Sequence, residues 1–348
     1  MSDDALAHGW RDEHIRQSGA CIPLEWPQLF AGKSEFLMRR LLTILLGLLL
    51  TAATSAMAEP RSVLVVLSEN AGAYREAADA LVAALEKDNS RPQALVRIVP
   101  LSALAREAER STPGLIVPVG TRAAQAVAAL ESPAPVLNTL IPSQVHRKIV
   151  RAQGARDRRT FSAVFLDQPL ARRLRLIQFL LPRRKHIGVV LSGESVESPE
   201  RLQAAARRFG FQIHWEAIDD QDQMLSALQR VLADSAVLLT LHDPIVLNRE
   251  TAQAVLLTSY RYQAPVIAYS AAYVSAGALA AVHSIPAQVG RQTGELVRAW
   301  LAGRNLPPPQ FPQYFDVSVN YHVARSLGLD VPGEAMLLEQ LRTAESAP

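Results

Sequence analysis

Past residue 60 the chain carries six histidines, His146, His186, His214, His242, His283 and His322, and none is spaced as His-x-x-x-His. That spacing would put two imidazoles on one helical face around a metal, so no metal site is expected. There is no Gly-x-Ser-x-Gly elbow, Walker loop or Gly-x-Gly-x-x-Gly turn, so neither a nucleophile nor a cofactor is expected. His242 and Asp243 are adjacent in sequence, which points their side chains in different directions and suits ligand contact better than catalysis. What remains are short polar clusters, each just after an apolar run. Ser68, Glu69 and Asn70 form the first, with Tyr74 nearby. Gly120, Thr121 and Arg122 form the second, and Asn138, Thr139 and Ser143 the third. Ser192, Gly193 and Glu194, then His242 and Asp243, then Tyr269 and Ser270 complete the set.

These clusters need a scaffold that brings strand ends together. From Ser62 onward β-branched apolar runs alternate with segments of helical period, the pattern of a parallel sheet covered by helices. Strands are predicted at Ser62–Leu67, Ala94–Pro100, Gly114–Val119 and Val136–Leu140. A second series is predicted at Ile187–Leu191, Phe211–Ala217, Ala236–Leu241 and Val266–Tyr269. Val-Val-Leu-Ser at 65–68 returns at 189–192, and Ala-Pro-Val at 134–136 returns at 264–266. The fold class is therefore α/β, with two tandem Rossmann-like lobes of parallel strands joined by a hinge. A further strand over Gly277–Val282, a long amphipathic helix over Pro286–Ala302 and a strand over Phe315–Val319 follow. Asn248 is read as the cap of a helix over Arg249–Gln263.

In an open parallel sheet, ligands bind beyond the carboxyl ends of the strands. Two facing lobes would enclose a ligand between the clusters named above. Gly120-Thr121-Arg122 is the most specific of them: the glycine lets backbone approach, and the helix after it offers free N–H groups to a carboxylate. Thr121 reads equally well as the cap of that helix, and Arg122 as a solvent-facing charge. Ser68 and Ser192 are alternatively plain turn residues, and Tyr74 and Tyr269 alternatively lobe core.

The chain has 348 residues, 49% apolar and 20% charged, with a formal charge of +3, which suits a globular protein of two domains. Its arginines are scattered, and no basic run or basic–aromatic interleaving points to nucleic acid. Residues 38–58 read MRRLLTILLGLLLTAATSAMA: a positive start, an apolar stretch, and a small-x-small end. This is expected to be a signal peptide cleaved after Ala58, placing the mature protein in the periplasm. A retained membrane anchor is the alternative. Residues 1–37 are expected to be a non-native upstream extension. They hold Cys21, the only cysteine, so the mature chain has no disulfide, thiol nucleophile or lipid-bearing cysteine.

Several segments carry a family likeness: Gly120-Thr121-x-Ala123-Ala124, LIQFLLPRRKHIGVV at 176–190, YSAAYVSAGALAA at 269–281, Gly290-Arg291-Gln292, and VNYHVARSLGL at 319–329. The chain resembles the type I periplasmic binding proteins and, within them, the ABC transporter substrate-binding family that includes the tryptophan-binding TrpX-like proteins. After the fourth strand the family often has Thr-Asp-Pro, whereas Thr139-Leu140-Ile141-Pro142 stands here. The resemblance implies three crossings between lobes, near 162, 284 and 313. The first lobe is then 59–162 with 284–312, and the second 163–283 with 313–348. It also implies a monomer that closes on a small polar ligand, such as an amino acid or other carboxylate, and delivers it to an ABC permease. The alternative is a sensor that presents the same closure to a membrane histidine kinase or receptor. Neither reading needs an enzyme.

Overall fold

The computed structural model describes residues 62–86, 95–110, 112–154 and 159–346. The expected signal peptide and upstream extension lie outside the described residues. β1 (Val63–Leu67), α1 (Gly72–Glu86), β2 (Val96–Pro100), α2 (Leu104–Arg110), β3 (Leu115–Val119), α3 (Thr121–Ala128), β4 (Val136–Ile141), α4 (Ser143–Gln153) and β5 (Phe161–Phe165) come first. The chain continues as α5 (Leu170–Leu180), β6 (His186–Ser192), α6 (Pro199–Arg208), β7 (Gln212–Ile218), α7 (Met224–Ala233), β8 (Val237–Leu239), α8 (Ala252–Arg261) and β9 (Val266–Ala268). It ends with α9 (Ala271–Ala276), β10 (Ala280–His283), α10 (Pro286–Leu301), β11 (Asp316–Val319), α11 (Tyr321–Ser326) and α12 (Glu334–Ser346).

The strands form two sheets, ordered β2-β1-β3-β4-β5 and β11-β10-β9-β8-β6-β7. Written from β7, the second sheet has the order of the first, so the repeated Val-Val-Leu-Ser segments are the same strand of two like lobes. All pairs are parallel except β10 with β11. Every residue of β1, β3 and β4 is buried, as strands covered on both faces must be.

α10 follows the second lobe in sequence but covers the first sheet, packed on α1. Two glycines make that contact possible. A Cβ on Gly290 would lie 2.0 Å from the Ala77 carbonyl oxygen, and one on Gly294 2.5 Å from that of Leu81. The remainder of the first core is aliphatic, with Val65, Leu67, Val117 and Val119 facing Val289 and Val297 of α10.

The structure adds elements that the sequence pattern did not reveal. α4, α5 and α9 are helices, and β5 is the edge strand of the first sheet. β5 pairs with β4 through Phe165, so the chain leaves that sheet after Phe165 and the expected crossing near 162 falls inside the strand. β8 ends at Leu239, short of the predicted Leu241, and α8 begins only at Ala252. Asn248 does not cap that helix: its Oδ1 accepts from the backbone N–H groups of Glu250 and Thr251, closing a separate turn at 2.8 and 3.1 Å.

Candidate functional site

A cavity of about 310 Å³ opens at the carboxyl ends of β8, β9 and β10, beside the crossing that leads into α5. Leu166, Leu170, Val196, Leu241 and Ile285 give it apolar walls. Asp167, Arg173, Glu197, His242 and Tyr269 bring polar groups to it, together with Ser270, His283 and Ser284. Two of its lining residues, Leu241 and His242, lie in the long connection between β8 and α8.

Arg173 projects from α5 and is 4% exposed. Its guanidinium donates to the Thr240 carbonyl, while its Nε has no hydrogen-bond partner. Burial lowers its pKa to about 10, and the nearby carboxylates of Asp167 and Glu197 oppose the fall, so it is cationic at neutral pH. Glu197 is an acidic side chain on the same cavity. Burial raises its pKa, and its Oε2, 3.4 Å from Arg201 Nε, accepts no hydrogen bond. The cavity is therefore bordered by a buried cation whose Nε has no hydrogen-bond partner and by a part-buried carboxyl whose Oε2 meets only Arg201, as an ion pair.

The aromatic wall is His242 against Tyr269, with ring centroids 5.2 Å apart. Burial lowers the His242 pKa, which keeps its ring neutral at pH 7. The Tyr269 hydroxyl is 3.2 Å from both the Leu247 carbonyl and the Tyr273 hydroxyl, and burial raises its pKa, so it stays protonated.

The floor is tied to the hinge. Gln168 donates to Ser284 Oγ at 2.8 Å, and Ser284 donates to the Tyr314 carbonyl at 2.6 Å. Arg172 donates to Gln168, to the Pro312 carbonyl at 2.9 Å, and to both carboxylate oxygens of Glu345 at 2.6 and 2.7 Å. Its guanidinium lies 3.8 Å over the Phe315 ring. The connections after β5, after β10 and before β11 thus share one polar network.

The family model described as ABC transporter substrate binding protein matches residues 93–340. The chain belongs to this family. No curated protein matches it in sequence. Among solved structures it is similar to the ABC domain from Streptococcus pneumoniae in complex with L-Trp. That match has 18% identity, covers 80% of this chain and 98% of that one, and has a TM-score of 0.55. A conserved domain protein from Vibrio cholerae matches at 22% identity over 81% and 98%, with a TM-score of 0.57. The ligand-free, open form of a substrate-binding protein with adhesive properties from Clostridium difficile matches at 21% over 78% and 96%, with a TM-score of 0.61. The two-lobed fold of periplasmic binding proteins is shared with all three.

In this substrate-binding protein, three of the residues singled out from sequence, His242, Tyr269 and Ser270, line the cavity. Ser192 and Asp243 lie behind it. Asp243, 1% exposed, accepts from the Ser192 N–H at 2.9 Å, from Ser192 Oγ at 2.8 Å and from Ser195 Oγ. It also accepts from the Ile245 and Val246 N–H groups at 3.0 and 3.2 Å. Gly193 and Glu194 face the other lobe: the Gly193 carbonyl accepts from Gln144, and Glu194 pairs with Lys148.

The first-lobe residues do not reach this cavity. Gly120, at φ +90°, precedes α3 and leaves Thr121 as the first helical residue, so Thr121 is not the cap. Ser68 performs that role from a distance, its Oγ accepting from the Ala123 N–H at 3.0 Å. Tyr74 packs over Gly120. Glu69 and Arg122 pair with each other at 3.3 Å, both more than half exposed, and Asn70 is exposed beside them. Thr139 is buried under α10, bonded to Thr293 Oγ1 at 3.2 Å.

Asp167, Arg173, Glu197, His283 and Ser284 escaped the sequence reading. Asp167, Glu197 and Ser284 lie in connections, where no period marks them, and His283 is the last residue of β10. Arg173 lies in a helix whose first turn reads Leu-Ala-Arg-Arg, which looks like a solvated face until the fold buries it.

Proposed function

We propose that this protein acts outside the cytoplasm after export, closes its two lobes on a small polar ligand at the Arg173–Glu197 cavity, and hands that ligand to an ABC permease. The single observation that carries the reading is the meeting, in one apolar cavity, of the buried Arg173, whose Nε has no hydrogen-bond partner, and the part-buried carboxyl of Glu197, which accepts no hydrogen bond at Oε2. Such an arrangement suits a ligand bearing a carboxylate beside a hydrogen-bond donor, set against the flat His242–Tyr269 wall. The L-Trp bound by the Streptococcus pneumoniae neighbour has these features. The lobes are taken as described above, with the first crossing after Phe165 and the protein acting as a monomer. Among the described residues no helix is long and apolar enough to cross a membrane.

The test is a thermal-shift screen of the purified protein with L-tryptophan, other amino acids, sugars and organic anions. A ligand at about 100 times its Kd adds about 2.7 kcal/mol to folding stability. The expected result is a shift with a carboxylate-bearing compound that disappears in Glu197→Gln or Arg173→Lys and survives in Thr121→Ala. Loss in Thr121→Ala alone would move the site to the first lobe.

A further inference from the structure

The cavity wall formed by Val196 and Glu197 belongs to the segment between β6 and α6, and that segment is gripped from the opposite lobe. α4 of the first lobe supplies every contact in the grip. Gln144 Nε2 donates to the Gly193 carbonyl at 3.3 Å. Arg147 donates to the Val196 carbonyl at 2.7 Å. Lys148 Nζ meets both oxygens of Glu194 at 2.7 and 2.6 Å. These three donors occupy one turn and a half of α4, at positions 144, 147 and 148, so a single helical face addresses three successive points on the segment.

The grip has a counterpart on each side. On the α4 side, Asp167 accepts from the Ser143 N–H at 2.5 Å and from Ser143 Oγ at 2.7 Å. Asp167 lines the cavity as well, so the same carboxylate that borders the cavity anchors the helix that reaches across. On the segment side, Asp243 holds Ser192 and Ser195 at their backbone and hydroxyls. Residues 193–197 are thereby fixed at one end by their own lobe and at the other by α4. Arg147 acts near Glu197 electrically too, lowering the pKa that burial raises.

We propose that Gln144, Arg147 and Lys148 are positioning residues: they touch no ligand, but from the first lobe they set the place of the second-lobe wall that carries Val196 and Glu197. The proposal rests on the reading of the cavity as the ligand site, and it goes beyond it by assigning closure to one helix face. It makes the closed arrangement available without ligand, because every partner belongs to the protein. Lys148 and Glu194 have side chains 51% and 45% exposed, so their charges can be reversed without burying anything.

The test is a distance measurement on the full chain with Cys21→Ser, spin-labelled at Glu109→Cys on the first lobe and Arg208→Cys on the second, both exposed. No ligand is added. Lys148→Glu is expected to move the population toward longer distances by about threefold. The double variant Lys148→Glu/Glu194→Lys is expected to restore the original distribution. Arg147→Met, which removes a part-buried charged donor, is expected to have the larger effect. High salt should reproduce Lys148→Glu in part and leave Arg147→Met unchanged. An unaltered distribution in Lys148→Glu, or failure of the double variant to restore it, overturns the proposal. A parallel titration with L-tryptophan reports on the ligand reading separately: altered distances with no binding would retain the grip and reject that ligand.

Discussion

Ser68 and Ser192 occupy the same place in two like lobes, each at the carboxyl end of the strand that reads Val-Val-Leu, and they engage different partners. Ser68 accepts a hydrogen bond from a helix N–H and seals the first lobe's strand ends. Ser192 donates to a carboxylate, Asp243, in a loop that opens the second. The cause is the length of the next connection. In the first lobe a single residue, Gly120, joins β3 to α3. In the second lobe residues 240–251 join β8 to α8, and their backbone N–H groups need an acceptor. Asp243 accepts from those of Ile245 and Val246, and Leu241 and His242 of the same loop line the cavity. A duplicated fold therefore need not carry a duplicated site.

Removing Asp243 should break the comparison most severely. Asp243→Ala leaves several buried donors without a partner, and a loss of about 3 kcal/mol is expected from urea unfolding. Asp243→Asn keeps half of the acceptors and should cost clearly less. Next comes Gly120. A Cβ there would lie 2.4 Å from Tyr74 Cε1 and 2.6 Å from Ser68 Oγ, at a φ of +90°. Gly120→Ala should therefore cost about 2 kcal/mol, and adding Tyr74→Ala should recover part of it, because the steric half of the penalty is relieved while the backbone half remains.

Acid should sharpen the comparison further. His146 in the first lobe is buried beside Asn138, 3.0 Å from its Nδ2, and burial lowers its pKa to about 4. Its folded pKa is below the ordinary value of 6.5, so the unfolded chain binds the extra proton first. Stability is then complete above pH 6.5 and falls as pH drops toward 4, on the order of 2 kcal/mol for this group. His242 and His283 are lowered by burial as well and act in the same direction. Thermal melts across that range should flatten in His146→Gln. A bound ligand that screens His242 should change only the second lobe's share. The smallest effect is Ser68→Ala, where loss of a remote cap should cost about 1 kcal/mol, measured by urea unfolding.

The architecture was legible because parallel strands buried on both faces must be continuous apolar runs, and here they are. β1, β3, β4, β6 and β9 were each placed within two residues. The edge strand β5 was not, since Phe161–Phe165 follows a helix with a polar face and begins with a partly exposed residue. The site was less legible. Tyr269, Ser270 and His242 follow strand ends and were found by that rule. Arg173 and Asp167 do not follow a strand of their own lobe, and only the crossing geometry brings them to the cavity.

From its residues alone this protein determined two α/β lobes, the repeated succession of strands and helices along the chain, and a family, because apolar periodicity and short motifs are local properties. The tertiary structure decided which strand ends face a cavity and that Ser68 rather than Thr121 caps α3. It also set the Arg173 guanidinium and the Glu197 carboxyl around one space. These depend on contacts between residues far apart in the chain, whose energies come from burial and hydrogen bonding that no local pattern records.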